Sequence, residues 1–212
     1  MSTKLVILAG GAVLWLALVG AGSAVLLNYA LTPGVSGAAP AQWPPDSALR
    51  RNRNEATLLM VVHPHCTCSR ASLSELSALM SGSAGKVSGY VLFVRPPGMA
   101  RGWEHTGLWR QAAAIPGVTL ISDEAGHEAA RFGAETSGQT MLYDRGGALE
   151  FSGGITAARG HYGANAGSAA IVALLGGVRK GGSGRRTPVY GCPLLGRGTN
   201  VSTNLRIAAC KR

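Results

Sequence analysis

The hexapeptide His63-Pro64-His65-Cys66-Thr67-Cys68 places two thiols and two imidazoles in six consecutive positions. The thiolate is the form of cysteine that attacks disulfides and binds soft metals, and nearby positive charge favours it. The motif follows the apolar run Thr57-Leu58-Leu59-Met60-Val61-Val62, which reads as a buried strand. It precedes Ser69 to Met80, where Leu73, Leu76, Leu79 and Met80 share one helical face. A strand-to-helix junction brings the unpaired N–H groups and the positive end of the helix dipole to the cysteines.

That chemistry divides in two. In thiol–disulfide exchange, Cys66 attacks, His65 lowers its pKa or relays a proton, and Cys68 or the distant Cys192 resolves. A Cys66–Cys68 bond would join Cα atoms about 6.5–7 Å apart, at the edge of disulfide geometry, and would be oxidising. In metal binding, Cys66 and Cys68 join imidazoles, His63 nearby and His161 further along, in a set suited to copper. A third possibility is a binding domain that uses neither reaction.

The elements that must position these groups alternate. After the first strand and helix come an apolar strand at Val87–Val94 closed by Arg95-Pro96-Pro97-Gly98, a helix over Trp103–Ala114, and a short strand Val118–Ile121. A short helix over Glu124–Phe132, a hairpin of Thr140–Asp144 and Ala148–Ser152 turning at Arg145-Gly146-Gly147, and a helix over Gly167–Leu175 follow. This order predicts an α/β domain, a mixed central sheet with helices on both faces, over residues 56–178. Ser72-x-x-Glu75 has the spacing of a capping box, so Glu75 is expected to cap the first helix or face solvent. His105 and His127 fall on exposed helix faces.

The flanks differ from the body. Leu5 to Leu27 carries no charge and is long enough to cross a bilayer, so residues 1–28 read as a single transmembrane anchor. Its length exceeds that of a signal h-region, though a cleaved signal is the competing reading. Lys4 precedes the run and Leu31–Leu49 has no Lys or Arg, which places the N-terminus in the cytoplasm and the domain outside, in the periplasm. Residues 29–55, rich in Pro, Gly, Ala and Ser, read as a linker. Residues 179–212 form a basic Gly/Arg-rich tail, with anionic lipid as one partner it could touch. The net charge of +10 comes largely from residues 177–212, which hold eight Lys and Arg and no acid, and 12 basic to 10 acidic residues remain elsewhere. Nucleic acid is therefore not the expected partner. Four cysteines, at 66, 68, 192 and 210, are too few for a disulfide scaffold, and an extracytoplasmic site would let disulfides persist. Cys210 reads as a stray thiol.

With a cysteine motif at its first strand-to-helix junction, this order resembles the thioredoxin superfamily. The segments Phe132-Gly133-Ala134, Gly146-Gly147 and Gly153-Gly154-Ile155 are similar to the approach to a thioredoxin's last hairpin. The whole resembles the bacterial membrane-anchored thioredoxin-like proteins called RedB. The matching motifs are His63-Pro-His-Cys-Thr-Cys-Ser-Arg-Ala-Ser, Arg95-Pro-Pro-Gly, Ser152-Gly-Gly-Ile-Thr-Ala-Ala-Arg-Gly-His161 and Pro188-Val-Tyr-Gly-Cys192-Pro-Leu. The resemblance implies a thioredoxin-like fold and thiol chemistry without a cofactor, with thiol- or disulfide-bearing proteins as partners, or copper-accepting proteins in the metal reading. Two departures stand out: C-x-C replaces C-x-x-C, and Thr136-Ser137-Gly138-Gln139-Thr140 holds no proline where thioredoxins place one opposite the cysteines.

Overall fold

The structure, a computed structural model of the chain, describes residues 3–178 and 184–195. Residues up to Thr32 form one unit and the domain begins at Pro33. The first unit is helix α1, Thr3–Leu31, whose stretch Val6–Leu31 is long and apolar enough to cross a membrane.

The domain orders its elements as β1 (Ala56–Val62), α2 (Ser69–Gly82), β2 (Val87–Arg95), α3 (Gly107–Ala113), β3 (Val118–Glu124), α4 (His127–Arg131), β4 (Gln139–Tyr143), β5 (Leu149–Gly153), α5 (Ala166–Leu175) and β6 (Arg185–Arg186). They build one sheet in the order β3-β2-β1-β4-β5-β6. β1 runs parallel to β2 and β2 to β3, while β4 is antiparallel to β1 and to β5. The first crossovers are strand–helix–strand units, so the central strands lie buried on both faces and read as continuous apolar runs.

The alternation along β1 feeds two cores. Leu58, Met60 and Val62 join Phe93, Leu142 and Phe151 against Leu73, Leu76 and Leu79 of α2, Leu108 of α3 and Ile171 of α5. Leu59 and Val61 face the other way, with Val94, Met141 and Tyr143, against Ala129 of α4 and Phe132. Each fully buried Leu, Val or Phe side chain contributes about 1.5–3 kcal/mol relative to exposure. The expected α/β architecture, with helices on both faces, is what the chain adopts.

Two expected boundaries are corrected. The segment read as a linker over 29–55 is folded onto the domain from Pro33 onward. Trp43 packs edge-on to Phe132 at 4.9 Å and to Tyr143 at 5.2 Å, and Leu49 is buried. Backbone bonds run from the Trp43 N–H to the Gly147 carbonyl and from the Leu149 N–H to the Ala41 carbonyl. Gly37 passes so close to the Gly133 carbonyl that a Cβ there would sit 1.8 Å from it. The second correction is at 178: β6 pairs parallel to β5, and Leu194 is buried with the second core, so residues 184–195 belong to the domain. The rest of the tail, with Cys210, lies outside the described residues.

Two helices are shorter than their patterns predict. α3 starts at Gly107, where Thr106 caps it by accepting from the Leu108 N–H while donating to the Pro64 carbonyl at 2.9 Å. α4 starts at His127 because β3 continues through Ser122 and Asp123 to pair with β2. The chain then turns on Ala125 and Gly126, both at positive φ.

Candidate functional site

β1 delivers the hexapeptide to one end of the sheet. The Cys66 N–H donates to the His63 carbonyl and the Ser69 N–H to the Cys66 carbonyl, both at 3.0 Å, so the turn winds directly into α2 with Cys68 at the N-cap position. The cysteines thus occupy the junction expected of them. The turn is braced from two sides: the Thr106 hydroxyl holds Pro64, and the His63 N–H donates to Ser137 Oγ at 2.7 Å. Ser137 Oγ also lies 2.7 Å from Ser69 Oγ, which ties the loop before β4 to the first turn of α2.

Cys192 comes to the same place from 126 residues further along. Its Sγ lies 2.9 Å from Cys66 Sγ, and its N–H donates to Cys66 Sγ at 3.4 Å. The ligand atoms of Cys66, Cys68 and Cys192 all lie within 4.8 Å of one another. Backbone pairing fixes that approach. The Ser137 N–H donates to the Cys192 carbonyl at 2.8 Å and the Leu194 N–H to the Glu135 carbonyl at 3.0 Å, around an antiparallel bridge of Thr136 with Pro193. Gly191 permits the contact, since a Cβ there would lie 1.9 Å from the Ser137 carbonyl oxygen. Where thioredoxins place a proline, Thr136 and Ser137 thus pair with the Cys192 segment, while the Gly138 N–H donates to the Val61 carbonyl of β1.

Cys66 and Cys68 carry free thiols, whereas the Cys192 sulfur is disulfide-bonded. The Cys66 thiol is lowered to about 5, first by the hydrogen bond from Cys68 and then, against the pull of burial, by the Ser69 hydroxyl and the N–H groups of Cys192 and Ser69. Cys68 moves the opposite way. Its proton is held in the bond to Cys66, and burial and the neighbouring negative charge raise it further, with Arg159 opposing. The pair therefore rests as one thiolate and one proton donor.

Cys66, the expected attacking thiol, is fully buried, while Cys68 is 9% exposed; the Cys192 segment covers Cys66. His65, expected to tune Cys66, is exposed, and its ring lies 4.4 Å from that of Trp103. The groups that set the Cys66 thiolate are Cys68, Ser69 and backbone N–H groups instead. His63 stays neutral: burial first, then charge on His65, holds it to about 4, and its Nδ1 accepts from the His65 N–H. His161 is exposed, with its N–H on the Ala158 carbonyl. Neither His63 nor His161 enters the cluster: among the described residues the third potential ligand beside Cys66 and Cys68 is Cys192.

Sequence reasoning missed two groups. Arg159 donates from Nη1 to the Gly191 carbonyl at 2.5 Å, and its charge favours the Cys68 thiolate. Its only signal was its position within the segment 152–161 already singled out. Glu75, read as a cap or a solvated side chain, is buried and accepts from the Gly163 N–H at 2.6 Å, Asn165 Nδ2 at 3.1 Å and Ser168 Oγ at 3.2 Å. It fastens α2 to the loop that enters α5.

No protein-family model and no curated protein matches the sequence. Solved structures do. A hypothetical protein from Sinorhizobium meliloti 1021 is 21% identical, with a TM-score of 0.54 over 77% of this chain and 93% of that one. An uncharacterized conserved protein from Geobacillus kaustophilus is 18% identical, with a TM-score of 0.54 over 80% of this chain and 95% of that one. Mycobacterium tuberculosis DsbF, solved in mixed oxidized and reduced forms, is 11% identical with a TM-score of 0.42, over 59% of this chain and 82% of that one. The chain has a thioredoxin-like fold, with three cysteines gathered where its first strand meets its first helix.

Proposed function

We propose that this protein carries out thiol–disulfide exchange outside the cytoplasmic membrane, with Cys66 as the attacking thiolate and α1 as its anchor. The observation that carries the reading is the 2.9 Å approach of Cys66 Sγ to Cys192 Sγ, with Cys66 held as a thiolate at the start of α2. When the Cys192 sulfur is bonded to another sulfur, the Cys66 thiolate attacks it. The Cys66–Cys192 bond forms, the old bond breaks, and the displaced sulfur leaves as a thiolate. Electrons are conserved and no cofactor is needed. The burial of Cys66 supports an exchange staged within the protein, because an outside disulfide reaches it only when the 189–195 segment swings away.

The anchor reading draws on the length and apolar character of Val6–Leu31 and on Lys4 before it, which together favour a cytoplasmic N-terminus. A RedB-like role as a membrane-held partner of thiol- or disulfide-bearing proteins follows from the motifs in this sequence. The test is the full chain in detergent, incubated with an oxidised peptide disulfide and quenched with a thiol-blocking reagent. A Cys66–Cys192 disulfide formed with release of the peptide thiol, and absent from Cys66→Ser, supports exchange; no disulfide at Cys66 at any pH refutes it.

One observation favours a second reading. Three clustered sulfurs suit a soft monovalent copper ion, and such a site would use Cys66, Cys68 and Cys192 in place of the imidazoles of His63 and His161. Competition for Cu(I) between the reduced protein and a chelator distinguishes it from exchange.

A further inference from the structure

Arg159 is the charged side chain at the site to which the exchange reading gives no part. It leaves the loop between β5 and α5, and its guanidinium meets two things at once. Nη1 holds the Gly191 carbonyl, one peptide before Cys192, and the guanidinium's positive charge favours the thiolate form of Cys68. Arg159 therefore links the sulfur at the mouth of the site to the segment that carries the partner of Cys66.

Resting on the exchange reading, we propose that Arg159 is a positioning residue for a second exchange step, in which Cys68 attacks the Cys66–Cys192 disulfide and releases Cys192. While Cys66 is a thiolate it keeps the proton on Cys68, through the hydrogen bond and through like charge. Once Cys66 is bonded to Cys192 its sulfur carries no charge, and both of those effects vanish together. The guanidinium, which favours the anion, remains. Cys68 then gives its proton to water and its thiolate attacks Cys66 Sγ. The Cys66–Cys68 bond forms, the Cys66–Cys192 bond breaks, and Cys192 leaves as a thiolate that takes a proton from water. One disulfide is consumed and one is made. The three sulfurs already lie within 4.8 Å, so the step needs no large movement, and the hold on Gly191 keeps the leaving sulfur in reach.

The experiment follows the ratio of Cys66–Cys68 to Cys66–Cys192 after the reduced full chain, in detergent, is oxidised with glutathione disulfide. Samples are acid-quenched across pH, blocked at free thiols and mapped by mass spectrometry. In Arg159→Gln the conversion of Cys66–Cys192 to Cys66–Cys68 is expected to slow about tenfold at neutral pH, with its pH midpoint raised by about one unit. Arg159→Lys, which keeps the charge, restores most of the rate. A merely structural arginine would not move that midpoint. Equal conversion rates and equal midpoints in Arg159→Gln and the wild type overturn the proposal while leaving exchange at Cys66 intact. A wild-type chain that forms no disulfide at Cys66 overturns both. Arg159→Lys behaving like Arg159→Gln in a chain that melts like wild type also overturns it, because the charge is then irrelevant.

Discussion

Replacing Cys68 by alanine will raise the pKa of Cys66, and the size of the change follows from the site. Cys66 sits at about 5 against an ordinary value of 9.0, with the Cys68 thiol as the foremost cause. At pH 7 that leaves Cys66 about 99% thiolate, where an unperturbed thiol would be about 1%. A hydrogen bond to a charged group is worth about 1.5–3 kcal/mol, and one pKa unit is about 1.36 kcal/mol, so losing this donor moves Cys66 up by about one to two units. The Cys68→Ala chain should therefore titrate at about 6–7, held there by the Ser69 hydroxyl and the N–H groups of Ser69 and Cys192. Cys68→Ser keeps an O–H donor and should stay within about half a unit of wild type. The assay is the ultraviolet absorbance of the thiolate against pH in the full chain, with Cys66→Ser as the blank. If Cys68→Ala titrates where wild type does, Cys68 is not the donor and the assignment of thiolate and proton donor within the pair is wrong.

Three further outcomes are expected. Glu75→Ala removes the acceptor for the Gly163 N–H, Asn165 Nδ2 and Ser168 Oγ and should cost about 1–3 kcal/mol, read from urea unfolding; an unchanged midpoint would mean that water replaces the carboxylate without cost. His63 is held to about 4 by burial, so the unfolded chain binds its proton first on acidification. Stability from this group is complete above its ordinary 6.5 and is lost as pH falls through about 4, a drop of about 1–3 kcal/mol that His63→Asn should flatten in unfolding curves taken from pH 7 down to pH 4. Trp43→Ala should lower stability by about 2–4 kcal/mol, since its ring packs on Phe132 and Tyr143; a loss under about 0.5 kcal/mol in thermal unfolding would show that the 33–49 segment is not part of the cooperative unit.

The legible parts of this molecule were those written in local pattern. The apolar runs at 57–62 and 87–94 marked the central strands, because a sheet strand buried on both faces needs no polar alternation. Leucines at helical spacing marked α2, and the junction between them located Cys66 and Cys68. What local pattern could not carry was pairing over distance. Residues 33–55 look like a tether by composition, yet Trp43 and Leu49 find a partly open sheet face, and burial outweighs the prolines. Cys192 stood out as a cysteine, but its place beside Cys66 depends on a backbone ladder with 135–137 and on a glycine at 191, neither of which has a periodic signature. The imidazoles misled for a related reason. Adjacency in sequence put His65 next to Cys66, but the turn sends its ring toward Trp103.

The separation of 126 residues between Cys66 and Cys192 also sets a schedule. A ribosome adds about 5–20 residues per second, so the first sulfur emerges roughly 6–25 s before the second exists. Through that interval the Cys192 segment cannot cover Cys66, whose thiol meets whatever oxidant or stray disulfide the compartment holds. An oxidising environment would thus favour capture of the early cysteines by foreign sulfur, and late arrival of the closing segment would have to undo that capture by displacement. Biogenesis would then be a first round of the exchange proposed for this site.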